Sequence, residues 1–150
     1  MMSKLILLLA VLVAVAATAA LASAGSRRYI NLPGRRPNLP FSDAVLVGNT
    51  LYISGKIGLD PKTGQAPADL EQEAHLLLDD VKATLQAADM TMDDLVYVQV
   101  YGTDLSLWDK FNTIYRGYFK KDLPARAFIG GAELLRGGHF EMVGIAVKER

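Results

Sequence analysis

From about Asp43 onward the apolar positions fall into runs with two different periods, and the alternation between them predicts the elements. Asp43 to Val47, then Gly48-Asn49, then Thr50 to Ser54 reads as a β-hairpin, with Gly-Asn as turn chemistry. Leu59 to Gly64 is a loop by composition. Leu70, Ala74, Leu77, Leu78, Val81, Leu85 and Ala88 then recur at helical spacing. Asp69 is placed to cap that helix, and Gln72 to complete a capping box. Leu95 to Tyr101 alternates, which predicts a strand with Val96, Val98 and Val100 on one face. Asp104 or Ser106 starts a second helix that runs to about Phe119, its apolar members being Trp108, Phe111, Ile114, Tyr115 and Tyr118 or Phe119. Two more strands follow, roughly Ala125 to Ala132 and His139 to Lys148. The order β-β-α-β-α-β-β makes an α+β domain: a mixed sheet with two helices on one face.

Two helices cover one face of such a sheet, yet both alternating sets of the last strand are apolar. The second face then needs cover as well, and a closed cyclic oligomer of the same chain supplies it.

The N-terminus reads differently. Residues 1–24 hold one early cation, Lys4, a long Leu/Val/Ala run and the small-residue ending Ala22-Ser23-Ala24. This is the pattern of a cleaved signal peptide, with Gly25 as the new N-terminus; the length of the run also allows an uncleaved anchor. Export of this kind points to a bacterial periplasm or secretion, with no membrane association after cleavage. Residues 25–40, rich in Pro, Arg and Asn, read as an irregular arm, leaving 41–150 as the domain proper.

Charge and composition narrow the function. The chain has 16 basic and 16 acidic side chains. A balanced charge gives no electrostatic footprint for nucleic acid. It has no cysteine, so disulfides, thiolate metal sites and a cysteine nucleophile are excluded. His75 and His139 are far apart in sequence and lack metal-ligand spacing, so no metal is expected.

Two charges stand out in apolar strands. Arg126 lies in Ala125-Arg126-Ala127-Phe128-Ile129, and Glu141 shares a strand face with Val143, Ile145 and Val147. A carboxylate on an aliphatic face must be paired, hydrogen-bonded or lining a cavity. The turn Leu135-Arg136-Gly137-Gly138 is expected to bring the two strands side by side. The pair is then either a cross-strand ion pair that fixes register, or a site in which a guanidinium grips a carboxylate and an acid handles a water or a proton.

Ser54-Gly55, Asp60-Pro61-Lys62-Thr63-Gly64, Phe111-Asn112-x-x-Tyr115, Pro124-Ala125-Arg126 and Glu141-Met142 together resemble, in order and spacing, the Rid (YjgF) family of reactive-intermediate deaminases, over about Leu39 to Lys148. The resemblance implies a chorismate-mutase-like fold, a homotrimer, and active sites in clefts between subunits. It implies hydrolysis of enamine or imine intermediates (2-imino acids) to 2-keto acids and ammonia, without cofactor or metal. By the same resemblance Arg126 binds the substrate carboxylate and Glu141 positions the attacking water. Ser54 and Gly55 form the turn that lines the site. Asn112 is a cleft residue, or else a helix residue bonding a nearby loop. The sequence departs from the family pattern at Phe41, where Tyr is common, at Lys56, where Gln is common, and at Phe128, where a small residue is common. Phe41 and Phe128 are taken as substrate-contacting positions, Phe128 alternatively as a core or interface residue. A non-catalytic trimeric module binding a small molecule or protein in the same cleft is the other reading. A ribonuclease role, which family names have carried, fits poorly with neutral charge, an export leader and no histidine pair.

Overall fold

The first strand is one that its sequence conceals. In the computed structural model, which describes residues 26–149, Arg27–Ile30 (β1) pairs antiparallel with Ala44–Val47 (β2). Of its four side chains only Ile30 is buried, so β1 carries no alternating signal, and the arm predicted as irregular begins with a strand. The expected leader, residues 1–24, lies outside the described residues.

The hairpin forms as predicted. Gly48 takes the left-handed conformation, φ 61°, in the two-residue turn between β2 and Thr50–Ile57 (β3). The helix α1 (Leu70–Gln86) starts at Asp69, whose carboxylate accepts from the N–H groups of Glu71 and Gln72 at 2.9 and 3.4 Å. Its stripe Ala74, Leu77, Leu78, Val81 and Leu85 is buried, with Leu70 packed at the margin.

Strand β4 (Leu95–Gly102) departs from strict alternation. Leu95 faces Ala146 and Tyr97 faces Ile145, so Val96 is an extra residue in a bulge. Leu95, Val98 and Val100 are buried, while Val96 is 47% exposed and off the face predicted for it. The helix α2 (Trp108–Arg116) is shorter than expected and ends at Gly117; a single turn, Leu105–Leu107, leads into it from Asp104. Phe111 and Tyr115 enter the core, whereas Trp108 stays largely exposed.

The last two strands, β5 (Ala125–Gly130) and β6 (Phe140–Val147), do not pair with each other as the sequence led us to expect. The sheet order is β1-β2-β3-β6-β4-β5. β5 lies parallel to β4, reached through the α2 crossover, and takes the edge of the sheet. β6 inserts between β3 and β4, antiparallel to both. The reason is visible in composition: β6 is apolar in both alternating sets and needs neighbours on each side, which a central position gives.

The two faces follow from this register. Phe140, Met142 and Ala146 of β6 are buried in a core with both helices. Glu141, Val143, Ile145 and Val147 look to the helix-free face and are half-buried. On that face Tyr52, Tyr97, Gln99, Val143 and Ile145 line a shallow apolar depression. Tyr97, Gln99 and Tyr101 are linked along it by hydrogen bonds of 3.0 and 2.9 Å.

One side chain that the sequence did not mark holds the layers together. Glu73 is fully buried on α1, where its carboxylate accepts from the backbone N–H of His139 at 2.6 Å and of Phe140 at 2.9 Å, and bonds the His139 ring at 2.7 Å. It thereby fixes the start of β6, one residue before Glu141.

Candidate active site

Arg126 projects from edge strand β5 on the helix side, because it is in register with buried Val98 of β4. Asn112 and Tyr115 come down to it from α2, one helical turn apart and on one face of the helix. The Asn112 side-chain oxygen accepts from Arg126 Nη2. The guanidinium carbon stands 4.6 Å from the centre of the Tyr115 ring and 5.9 Å from that of Phe128. A planar cation is thus gripped at one nitrogen and against one face.

Two buried polar atoms in this cluster, Arg126 Nη1 and the Tyr115 hydroxyl, have no hydrogen-bond partner. Burial pushes the Tyr115 hydroxyl up to about 12, against the opposing pull of the Arg126 charge, and the tyrosine stays neutral. Burial likewise lowers the Arg126 guanidinium below its ordinary value, the Tyr115 contact opposing and Arg116 adding to the shift. Phe128 lies beside Arg126 on the same face as predicted, its ring packed edge-on against Phe111 at 5.9 Å and close over Gly102.

The second cluster is built on a bulge. Ile53 of β3 faces Gly144 of β6 and Lys56 faces Met142, so Ser54 and Gly55 together oppose Val143. Such bulges re-aim side chains. Glu141 leans over Gly55 closely enough that a Cβ there would overlap its Oε1, so the glycine is needed for this carboxylate position. Burial raises the Glu141 carboxyl above its ordinary value. The Ser54 hydroxyl does not reach toward Glu141. It donates to the Ser42 carbonyl at 2.5 Å, and the Ser54 N–H donates to the Asp43 carbonyl at 3.1 Å. These bonds place Phe41 at the edge of the bulge, half-exposed.

The two clusters do not meet within one chain. Glu141 is in register with Tyr101 and Arg126 with Val98, two strands and three residues apart on opposite faces. That is about 14 Å between backbones from ordinary strand spacing and rise. The expected cross-strand ion pair is therefore absent, because β4 separates the two strands. Among the described residues neither Arg126 nor Glu141 has an ion-pair partner. Asn112 bonds the Arg126 guanidinium of β5 and not a loop. Lys56 turns away from Glu141 altogether, since the bulge rotates it to the helix side.

The family described as Endoribonuclease L-PSP matches residues 34–148. The chain belongs to the Rid/YjgF (L-PSP) family. A 2-iminobutanoate/2-iminopropanoate deaminase of Mus musculus is 40% identical to it over 110 residues, 73% of this chain and 82% of that protein. A RutC family protein of Pyrococcus horikoshii is 36% identical over 115 residues, 76% of this chain and 91% of the relative. Among solved structures, the YjgF gene product of E. coli superposes with a TM-score of 0.75 at 32% identity, over 81% of this chain and 99% of its own. E. coli TdcF with bound serine gives 0.74 at 31%, over 81% and 100%. The α+β fold, six strands backed by two helices, is that of the Rid family. Within this Rid chain Phe41 adjoins Ser42, which is bonded to the Ser54-Gly55 bulge, and Phe128 lies beside Arg126, in separate clusters.

Proposed function

We propose that this Rid protein hydrolyses 2-imino acids to 2-keto acids and ammonia, in sites that two copies of the chain complete together. The observation that carries the reading is the pair of uncompensated charges. Arg126 and Glu141 are each partly desolvated, and neither finds a counter-charge among the described residues. Desolvating a charge without a partner costs stability and persists where a ligand supplies the partner. A cation held by Asn112 and Tyr115 suits a carboxylate. A carboxylate of raised pKa suits a water whose proton it must take.

The proposed reaction uses both groups. The substrate carboxylate docks on Arg126, which fixes the imine carbon relative to the second half-site. A water held by Glu141 of the neighbouring copy attacks that carbon and gives its proton to Glu141. Glu141 returns that proton to the nitrogen of the tetrahedral carbinolamine, which collapses to the ketone as ammonia leaves; the remaining hydroxyl proton passes to Glu141 and from there to solvent. An iminium carbon is already electrophilic, so orientation is the main contribution the protein makes. The serine-bound TdcF structure and the deaminase names among relatives support a small amino-acid-like ligand.

The reading requires assembly. Tyr52, Tyr97, Val143 and Ile145 leave the helix-free face apolar, and a homotrimer would cover it. Light scattering of residues 25–150 is expected to give three times the protomer mass; a stable monomer would remove the shared site. The activity is tested by ammonia release from imino acids generated in situ by an amino-acid oxidase. Release above the uncatalysed rate is the expected result. Binding of keto acids without faster release would leave a non-catalytic module.

A further inference from the structure

Lys56 lies in the core at 5% exposure, an unusual place for an ammonium. Its Nζ stands 3.0 Å from Asp43 Oδ1 and 3.3 Å from Asp80 Oδ1. Asp43 is itself buried and is a junction. Its Oδ2 accepts from the Leu32 N–H at 2.8 Å and lies 3.7 Å from Arg35 Nε. Its own N–H donates to the Asn31 side chain at 3.4 Å, and its carbonyl receives the Ser54 N–H. Burial alone would raise the Asp43 carboxyl, but the Leu32 bond, Lys56 and Arg35 together hold it below its ordinary value.

Arg35 extends the network outward. Its Nη1 donates to the Asn31 side chain and its Nη2 to the Phe41 carbonyl. Its guanidinium also stands over the Phe41 ring, 5.8 Å from the centre. Phe41 is 49% exposed. A large apolar ring left in solvent yet fixed by its backbone, by a cation on its face and by the Ser42–Ser54 bond is held rather than packed. Its neighbour Ser42 is bonded to Ser54 of the bulge, and the Glu141 carboxylate leans over the next residue, Gly55.

We propose that Arg35 and Lys56 are positioning residues that hold Phe41 as the apolar wall of the Glu141 half-site, and that this wall selects 2-imino acids with large apolar side chains. Lys56 anchors Asp43 from beneath, Asp43 anchors the 41–43 segment to the bulge, and Arg35 sets the ring. The inference rests on the imino-acid reading above and adds the class of side chain to it.

The test uses the intact assembled protein and three 2-keto acids, the products of the proposed reaction, bearing a methyl, an isobutyl or a benzyl side chain. Calorimetry is expected to show the two larger acids binding at least about fivefold more tightly than the methyl one, within the modest range that pocket shape gives. Phe41→Ala, an exposed change that leaves the fold intact, should reduce that ratio to below about twofold. Arg35→Met and the double change Asp43→Asn with Lys56→Met should do the same, because the ring is released although still present. A merely structural role would weaken all three acids alike and leave the ratio standing, and that result overturns the proposal. Equal binding of the three acids by the parent also overturns it. A parent that ranks the acids as expected but releases no ammonia from any imine keeps the wall and loses the deaminase. Ammonia release with no ranking does the reverse.

Discussion

Replacing Arg126 by lysine is expected to cut imino-acid hydrolysis as far as replacing it by alanine does. A lysine keeps the charge but loses three features seen around Arg126. These are the planar face stacked on Tyr115, the nitrogen bonded to Asn112, and the forked donor edge. Hydrogen bonds to charged groups contribute about 1.5–3 kcal/mol each, so loss of the fork lowers kcat/KM by roughly tenfold to more than a hundredfold. The deficit should fall on KM and kcat together, since the carboxylate both binds and orients the substrate. The fold should survive: Arg126 sits on an edge strand and carries no ion pair among the described residues. Steady-state kinetics alongside thermal unfolding would check both statements. Near-parental turnover in Arg126→Lys would show that the guanidinium is structural.

Glu141→Gln should lower kcat by about 10²–10⁴, the usual contribution of a positioned proton acceptor, with little change in KM. The pH profile gives a sharper readout. Burial raises the Glu141 carboxyl, and the reaction needs it ionised. Activity should therefore rise with pH through the raised value and be lost as pH falls below it. That acid limb should lie above the range of about 4.3 typical of an exposed glutamate. In Glu141→Gln the limb should vanish, because the group that titrates is gone. A retained limb in the variant would assign the proton to another residue.

Much of the fold could be read from the chain because its periods are clean. Leu70 to Ala88 keeps helical spacing without interruption, and Gly48-Asn49 sits between two alternating runs. What escaped was set by events that periodicity does not record. One inserted residue at Val96 turned a strand, and the Ser54-Gly55 bulge sent Lys56 inward rather than toward Glu141. β1 stayed hidden because Ile30 alone faces the core. Strand order was the largest miss. Sequence neighbours β5 and β6 were expected to pair, but the double-sided hydrophobicity of β6 drew it to the centre and put β4 between Arg126 and Glu141. The resemblance singled out both residues, and Asn112 with them. Tyr115 drew notice as an apolar helix position and as the end of the Phe111-Asn112-x-x-Tyr115 motif, but nothing in the spacing showed its ring against the guanidinium. Glu73 and Asp43 gave no signal, since a lone acid near a helix start or a hairpin reads as solvated.

The claim that one copy supplies the cation and another the carboxylate is tested most directly by mixing two inactive variants. Arg126→Ala and Glu141→Gln, each inactive alone, are dissociated together in equal amounts and allowed to reassemble. In a cyclic trimer with random exchange, about a quarter of the interfaces then join an intact Arg126 to an intact Glu141. The account predicts recovery of about a quarter of parental ammonia release per site. No recovery, with mixed trimers demonstrated by mass, would contradict it and place the whole site within a single chain.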